Sequence, residues 1–141
     1  MYIKKSEREQ RQSGAIVKTD RLHYNGCMKQ LLNTASALDM LSGDTSLYKL
    51  LADSFLYENH FERHTFNALI TARKLTEAAS YVHRTKGAAG QIGAELLHEA
   101  GQQLEDALRG RSDGDIAELA AHFANIYDKT ISALTEQHTR I

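Results

Sequence analysis

The chain contains no proline, although it is 141 residues long. Its two most frequent residue types are alanine, with 18 copies, and leucine, with 17, whereas valine occurs only 2 times. Alanine and leucine favour helices, valine favours strands, and proline is the main residue that breaks a helix. The sequence therefore predicts an all-α fold and excludes a β-sandwich or a β-barrel.

The composition is that of an ordinary soluble globular domain. Apolar residues make up 42% of the chain and charged residues 25%, and the formal net charge is −1. This near-neutral charge gives no reason to expect a nucleic-acid partner. The single cysteine, Cys27, allows no internal disulfide, and no stretch has the roughly 18 apolar residues that would span a membrane. The charged start, Met1 to Gln12, lacks the apolar segment of a secretory signal, so we expect a cytoplasmic protein.

Residues 1–30 differ from the rest of the chain in charge. They hold seven lysines or arginines and three acidic residues, a balance of +4, whereas the remainder has a balance of −5. Because this segment has no sustained apolar period, we interpret it as a basic N-terminal extension exposed to solvent. An arm that docks an acidic partner is the alternative interpretation. The predicted folded domain then covers residues 31–138.

Apolar residues recur at helical spacing in six successive segments after residue 30. A short first helix is expected to end at Ser42-Gly43, and Asp44 or Thr45 can cap the second. Ser112 or Asp113 can cap a last helix of about five turns.

The four later helices are predicted to form an antiparallel four-helix bundle, and the two earlier helices are expected to cover one end of it. The apolar positions that mark the six helices are Leu31, Ala35 and Leu38; Leu47, Leu51 and Phe55; Phe61, Ala68, Leu69 and Ala72; Leu75, Ala78, Val82 and Ala89; Leu97, Ala100, Leu104 and Leu108; and Ile116, Leu119, Ala120, Phe123, Ile126, Tyr127, Thr130 and Leu134.

The fourth helix carries a histidine beside two glycines. At 100° per residue, His83 lies at the edge of the apolar face that is centred on Val82. Gly87 and Gly90 follow it by four and seven residues and neighbour it on the helix surface. Each glycine costs roughly 1 kcal/mol of helix stability relative to alanine. Packing alone does not explain why the chain accepts that cost. The two glycines are explained if another protein's backbone must approach the imidazole closely.

Lys86 lies on the same side of this helix, one turn after His83. Its ammonium can attract a phosphoryl group held on the imidazole. Histidine suits such a role because neutral imidazole is available near pH 7 and has two distinct nitrogens. One nitrogen can attack while a hydrogen bond holds the other.

The segment His83-Arg84-Thr85-Lys86-Gly87-Ala88-Ala89-Gly90, followed by Gly93-Ala94 and Leu104-Glu105, resembles the signature of histidine phosphotransfer (HPt) domains. The upstream segment Ser42-Gly43-Asp44-x-x-Leu47-Tyr48-x-x-Leu51 resembles the start of that family's first long helix. The resemblance covers residues 31–137. Many members have leucine where this chain has Thr85, and asparagine or serine where it has Gln91, which bears on stability and partner choice.

The resemblance implies a phosphorelay intermediate without kinase activity of its own. His83 would take a phosphoryl group through Nε2 from the aspartyl phosphate of one receiver domain and pass it to the aspartate of another. Lys86 would steady the phosphoryl charge, and Gly87 and Gly90 would leave room for the receiver. Glu105 would hydrogen-bond the other ring nitrogen, and its place on the flank of the fifth helix agrees with this.

The partners that the resemblance implies are receiver domains of response regulators and a hybrid sensor histidine kinase. The receiver would supply Mg²⁺, so the chain itself needs no cofactor, and a lone bundle of this size is expected to be a monomer that binds neither nucleic acid nor membrane. The docking surface would be formed by exposed residues of the fourth and fifth helices around His83. These residues are Thr76, Ala79, Ser80, Gly87, Gly90, Gln91, His98 and Gln102.

Two other functions remain open from the sequence. One is a non-catalytic helical adaptor that binds a receiver or a kinase without carrying phosphate. The other is a metal-binding bundle, because His60 and His64 have the i, i+4 spacing of helical metal ligands. Glu62 stands two residues after His60 and does not reproduce the metalloprotease order, and two ligands alone make a weak site, so we predict no metal.

Overall fold

A computed structural model describes residues 29–58 and 61–140 of the chain, with side chains as far as residue 137. The described residues form six helices and no strand, which confirms the all-α prediction. These are α1 (Thr34–Met40), α2 (Thr45–Tyr57), α3 (Arg63–Thr71), α4 (Leu75–Gln91), α5 (Glu95–Leu108) and α6 (Ile116–Arg140). None of them is long and apolar enough to cross a membrane. Cys27, His60 and nearly all of the predicted extension lie outside the described residues.

The turns before α2 and α6 test two of the helix caps that the sequence predicts. Ser42 and Gly43 adopt φ values of 57° and 77° after α1, and the Asp44 carboxylate accepts a hydrogen bond from the Leu47 backbone at 3.0 Å to cap α2. The prediction that Ser112 or Asp113 caps the last helix is wrong. Asp115 accepts from the backbone of Ala117 at 2.9 Å, because α6 begins only at Ile116.

Four helices, α2, α4, α5 and α6, close the bundle, since each packs against two others of this set. In the predicted bundle, α3 takes the position that α2 occupies in the structure. With nine residues, α3 is about 13 Å long, too short to follow its neighbours along the bundle. It packs against α4 and buries one side chain fully, Phe66.

The helices α4 and α5 run in opposite directions. Residues 83, 86 and 90 of α4 contact residues 105, 102 and 98 of α5, so the numbers rise along one helix as they fall along the other. Three residues join the two helices, and Gly93 within this turn has a φ of 81°. The antiparallel arrangement therefore sets one face of α4 directly against one face of α5.

On some helices the buried face is shifted by one residue from the face that the periodicity predicts. Tyr48 is buried on α2, whereas Leu47 keeps 40% of its surface exposed. Four further predicted core positions, Ala35, Ala68, Ala72 and Leu75, are exposed. Alanine patterns define a face poorly because the side chain is small and tolerates either environment.

An aromatic cluster fills one end of the bundle, where α2, α3 and α6 meet. Phe61 lies at its centre, with its ring 4.8 Å from that of Phe123 in an edge-to-face arrangement and 5.5 Å from that of Phe66. The Phe61 backbone N–H donates to the Tyr127 hydroxyl at 3.1 Å. This cluster holds the loop before α3 in place and reaches α4 through Tyr81, whose ring lies 5.5 Å from that of Phe61.

The residues before α1 are tied to the opposite end. The Asn33 backbone N–H donates to the Gly93 carbonyl at 2.7 Å, and the Leu96 N–H donates to the Gln30 carbonyl at 3.1 Å. Glu95 accepts from the Gln30 backbone and from the Asn33 side chain. Gln30, which the sequence analysis assigns to the extension, thus makes specific contacts with the start of α5.

Candidate functional site

His83 lies near the middle of α4 with its ring on the surface. The side chain keeps 59% of its surface exposed, and its Nδ1 atom lies 3.1 and 3.2 Å from the two carboxylate oxygens of Glu105. Within the described part of the chain, Nε2 makes no hydrogen bond. One ring nitrogen is therefore held by the protein, and the other faces solvent.

Glu105 is a buried carboxylate, with 5% of its side chain exposed, and three side chains donate to it. Lys86 Nζ lies 3.0 Å from Oε1, Arg109 Nε lies 2.9 Å from Oε2, and His83 Nδ1 faces both oxygens. Burial alone would raise the pKa of this carboxyl. The hydrogen bonds from Arg109, Lys86 and His83 outweigh that effect and lower its pKa to about 2.

The ionised Glu105 fixes the tautomer of the histidine. A carboxylate at neutral pH can only accept hydrogen bonds, so Nδ1 of His83 must carry the hydrogen that it donates. In the neutral imidazole, Nε2 then has its lone pair free. The arrangement supplies an exposed nucleophilic nitrogen of defined identity.

Lys86 lies beside His83 but is not the solvated cation that a surface lysine usually is. Only 12% of its side chain is exposed, and its ammonium donates to Glu105 and, at 2.8 Å, to the side-chain oxygen of Gln102. The ammonium is thus held below the ring by α5. These two contacts occupy two of its three N–H donors.

The two glycines that flank His83 have different surroundings. A Cβ atom on Gly87 would meet nothing within 4 Å, so the surface there is open to a partner. A Cβ atom on Gly90 would lie 3.2 Å from Nδ1 of His98, a ring nitrogen that donates at 3.1 Å to the Lys86 carbonyl. Gly90 therefore makes room for His98 within the protein itself.

Most of the predicted docking residues share the exposed surface around His83. Thr76, Ser80, Gln91 and His98 are exposed, and Gln102 is half-buried. Ala79 is the exception, because it is fully buried and cannot contact a partner. It lies about 40° from His83 on the helix but on the side of Val82, within the arc that faces the core.

Arg109 is the site residue that the sequence analysis misses. It follows Glu105 by four residues, the spacing at which an acidic and a basic side chain meet on one helix. That spacing was the available signal. Such pairs are common on exposed helix faces, however, and only the buried carboxylate gives this one its importance.

The described residues contain no group of three or more histidine, cysteine, aspartate or glutamate side chains that could hold a metal. Of the two histidines considered for a metal, His64 is exposed on α3 and His60 lies outside the described residues.

Comparison with known families identifies the class of protein. The family model of the Hpt domain matches residues 51–139, more than half of the chain, so the chain belongs to the Hpt domain family. The match spans about half of α2, all of α3 to α5 and α6 except its last residue, with His83 and Glu105 inside it. Hpt domains carry out phosphotransfer in phosphorelays and interact there with receiver domains and kinases. No curated protein matches the chain, and no solved structure does.

Proposed function

We propose that His83 takes a phosphoryl group from the aspartyl phosphate of one receiver domain and passes it to the aspartate of a second. One observation carries this proposal. The exposed His83 ring has its Nδ1–H bonded to a buried, ionised carboxylate, which leaves the Nε2 lone pair facing solvent. A nucleophile that is oriented by a third group and reaches a partner's phosphorus is what the transfer requires.

The transfer balances without any proton leaving the site. The Nε2 lone pair of His83 forms a bond to phosphorus, the P–O bond to the receiver's carboxylate breaks, and that carboxylate leaves as an anion. The ring then carries a hydrogen on Nδ1 and the phosphoryl group on Nε2, so it is positively charged. Glu105, 3.1 Å from Nδ1, stabilises that charge. The reverse sequence delivers the group to the next receiver.

The receiver approaches over the open side of α4. Gly87 has no side chain and nothing within 4 Å of its Cβ position, which allows the partner's backbone to come close to the ring. Thr76, Ser80, Gln91 and His98 surround this point as polar contacts of the docking surface. As part of the same proposal, the receiver supplies Mg²⁺ together with its aspartate, a hybrid sensor kinase is the upstream donor, and the chain acts as a cytoplasmic monomer.

The test is to mix the protein with a phosphorylated receiver domain and to follow phosphate that is labile in acid and stable in base. The wild-type protein should become labelled, whereas His83→Gln should not. His122→Gln is the matched control, because His122 is exposed on α6, whereas the side chains that contact His83 and Lys86 belong to α5. Binding of the receiver without any label on the wild-type protein would refute the proposal and favour the non-catalytic adaptor.

A further inference from the structure

Two cations share one buried carboxylate beside His83. Lys86 donates to Oε1 of Glu105 and Arg109 donates to Oε2, so each oxygen has its own positively charged partner. With the ring neutral, this set of side chains carries one surplus positive charge. A buried acid needs only one counter-ion, which raises the question of what the second one does.

Lys86 is the cation that is able to leave. It stands on α4, one turn from His83, and its ammonium has a second acceptor in Gln102 at 2.8 Å. Arg109 follows the last residue of α5 and is bound to Glu105 along the same helix. Its charge also lies at a helix C-terminus, where a cation is favoured. Movement of Lys86 towards Nε2 therefore leaves the pair on α5 intact.

We propose that Arg109 is a positioning residue: it stays on Glu105 when the phosphoryl group arrives, and so allows Lys86 to leave Glu105 for that group. This inference rests on the function proposed above. Without Arg109, departure of Lys86 would leave a buried carboxylate with the ring as its only partner, which is costly. Lys86 would then be held in place by Glu105.

The charges agree with this division of roles. Phosphoryl transfer adds one negative charge to the site, in the form of a dianionic phosphoryl group on a cationic ring. The surplus positive charge that is present beforehand is thereby compensated. Arg109 and the ring then donate charge-assisted hydrogen bonds to Glu105, and Lys86 donates one to the phosphoryl group.

The experiment uses phosphoramidate, a small phosphoryl donor that needs no receiver and therefore no docking surface. Nε2 of His83 bonds to phosphorus, the P–N bond of the donor breaks, and ammonia leaves. The initial rate of labelling is compared for the wild-type protein, Arg109→Gln, Lys86→Gln and the double variant. Arg63→Gln is the matched control, because it removes an exposed pair with Asp128 on α3 and α6.

The proposal predicts that the effect of replacing Arg109 on the labelling rate depends on whether Lys86 is present. Arg109→Gln should slow labelling about tenfold when Lys86 is present, as expected for the loss of one charge-assisted contact in the transition state. In the Lys86→Gln background the same change should slow labelling about twofold or less, because no ammonium remains to be released. Arg109→Lys, which keeps the charge, should restore most of the rate, and the control should label like the wild type.

Three results overturn the inference. Equal slowing in both backgrounds would mean that Arg109 only supports the structure, and an unchanged rate in Arg109→Gln would mean that it plays no part. If Arg109→Gln fails to fold, the test is made with Arg109→Lys instead. A labelling rate of Arg109→Lys as low as that of Lys86→Gln would then contradict the proposal. Absence of label on the wild-type protein is a different outcome, because it contradicts the phosphotransfer function itself.

Discussion

At the scale of single residues, the chemistry depends on how Glu105 is held. Its carboxylate is buried, yet it stays ionised because His83, Lys86 and Arg109 all donate to it. The ionised state is what keeps the hydrogen of His83 on Nδ1 and leaves Nε2 free for attack. A single acidic side chain thus defines which ring nitrogen reacts.

Glu105→Gln should therefore slow phosphorylation of His83 by about tenfold. The amide can donate as well as accept, so it no longer selects one tautomer, and it does not compensate the charge on the phosphorylated ring. The measurement is the labelling rate with phosphoramidate, together with the ¹⁵N shifts of the His83 ring, which report the tautomer. A single fixed tautomer and an unchanged rate in the variant would contradict this role.

The same carboxylate makes stability depend on pH. Its pKa is lowered from 4.5 to about 2 in the folded protein, so its contribution is complete above pH 4.5 and is lost as pH falls towards 2. The shift corresponds to stabilisation on the order of 3 kcal/mol. Urea unfolding at pH 6 and pH 3 should show a larger loss for the wild type than for Glu105→Gln. Equal losses in the two proteins would show that another group governs this range.

The sequence was sufficient for the position of His83 and for the flank position of Glu105, since both follow from helical spacing and a local motif. It was not sufficient for the partners of Lys86, because these depend on which side chains of α5 face α4 across the bundle. The prediction that Ala79 belongs to the docking surface is wrong for a related reason. Its angle on the helix lies between His83 and the core, and only the neighbouring helices decide which environment a small side chain enters.

At the scale of elements, α4 combines an apolar face with a surface that a partner can approach. Five of its residues, Ala78, Ala79, Val82, Thr85 and Ala89, are buried, whereas Gly87 lies on the exposed side. Glycine in a helix interior lowers stability. We account for its presence here by the close approach of the receiver, which a stability measurement and a transfer measurement together can test.

Gly87→Ala should stabilise the protein by about 0.5–1 kcal/mol, because the Cβ meets nothing within 4 Å and alanine favours the helix. The same change should slow phosphotransfer from a receiver but leave labelling by phosphoramidate unchanged, since only the receiver needs the space. Thermal unfolding and the two labelling assays provide the measurements. If Gly87→Ala leaves the rate of transfer from the receiver unchanged, as it should the rate with phosphoramidate, the receiver does not approach at this point.

The helices themselves follow from the periodicity, and their assembly does so only in part. Six helices were predicted and six are described. Which four close the bundle depends on length: α3 ends after nine residues, whereas α2 has 13. The sequence pattern of α3 continues past its end because Ala72 fits the spacing, but Arg73 then adopts a φ of 62° and stops the helix. Such a stop carries little signal in the sequence.

At the scale of the whole molecule, the turn between α4 and α5 connects the site helices to the start of the described chain. The Asn33 backbone N–H donates to the carbonyl of Gly93, and a Cβ atom on Gly93 would clash with the Asn33 carbonyl oxygen. The segment before α1 thus covers the turn that sets the register of His83 against Glu105. Its role is structural, and it acts at a distance from the reacting atoms.

Gly93→Ala should destabilise the protein by about 2 kcal/mol or more, because it combines a strained positive φ with a steric clash. Gly110→Ala is the matched control: Gly110 has a φ of 77°, but its Cβ position is open, so about 1 kcal/mol is expected. Urea unfolding compares the two. If both variants lose the same stability, the contact between Asn33 and this turn contributes nothing.

The central claim is that Nε2 of His83 receives the phosphoryl group while Nδ1 keeps its hydrogen on Glu105. The most direct measurement is ¹⁵N and ³¹P NMR of the protein after phosphorylation by a receiver domain, with histidine labelled in the ring. We predict phosphorus coupled to Nε2 of His83 and a proton on Nδ1. Phosphorus on Nδ1, or on any other residue of the chain, would contradict the account.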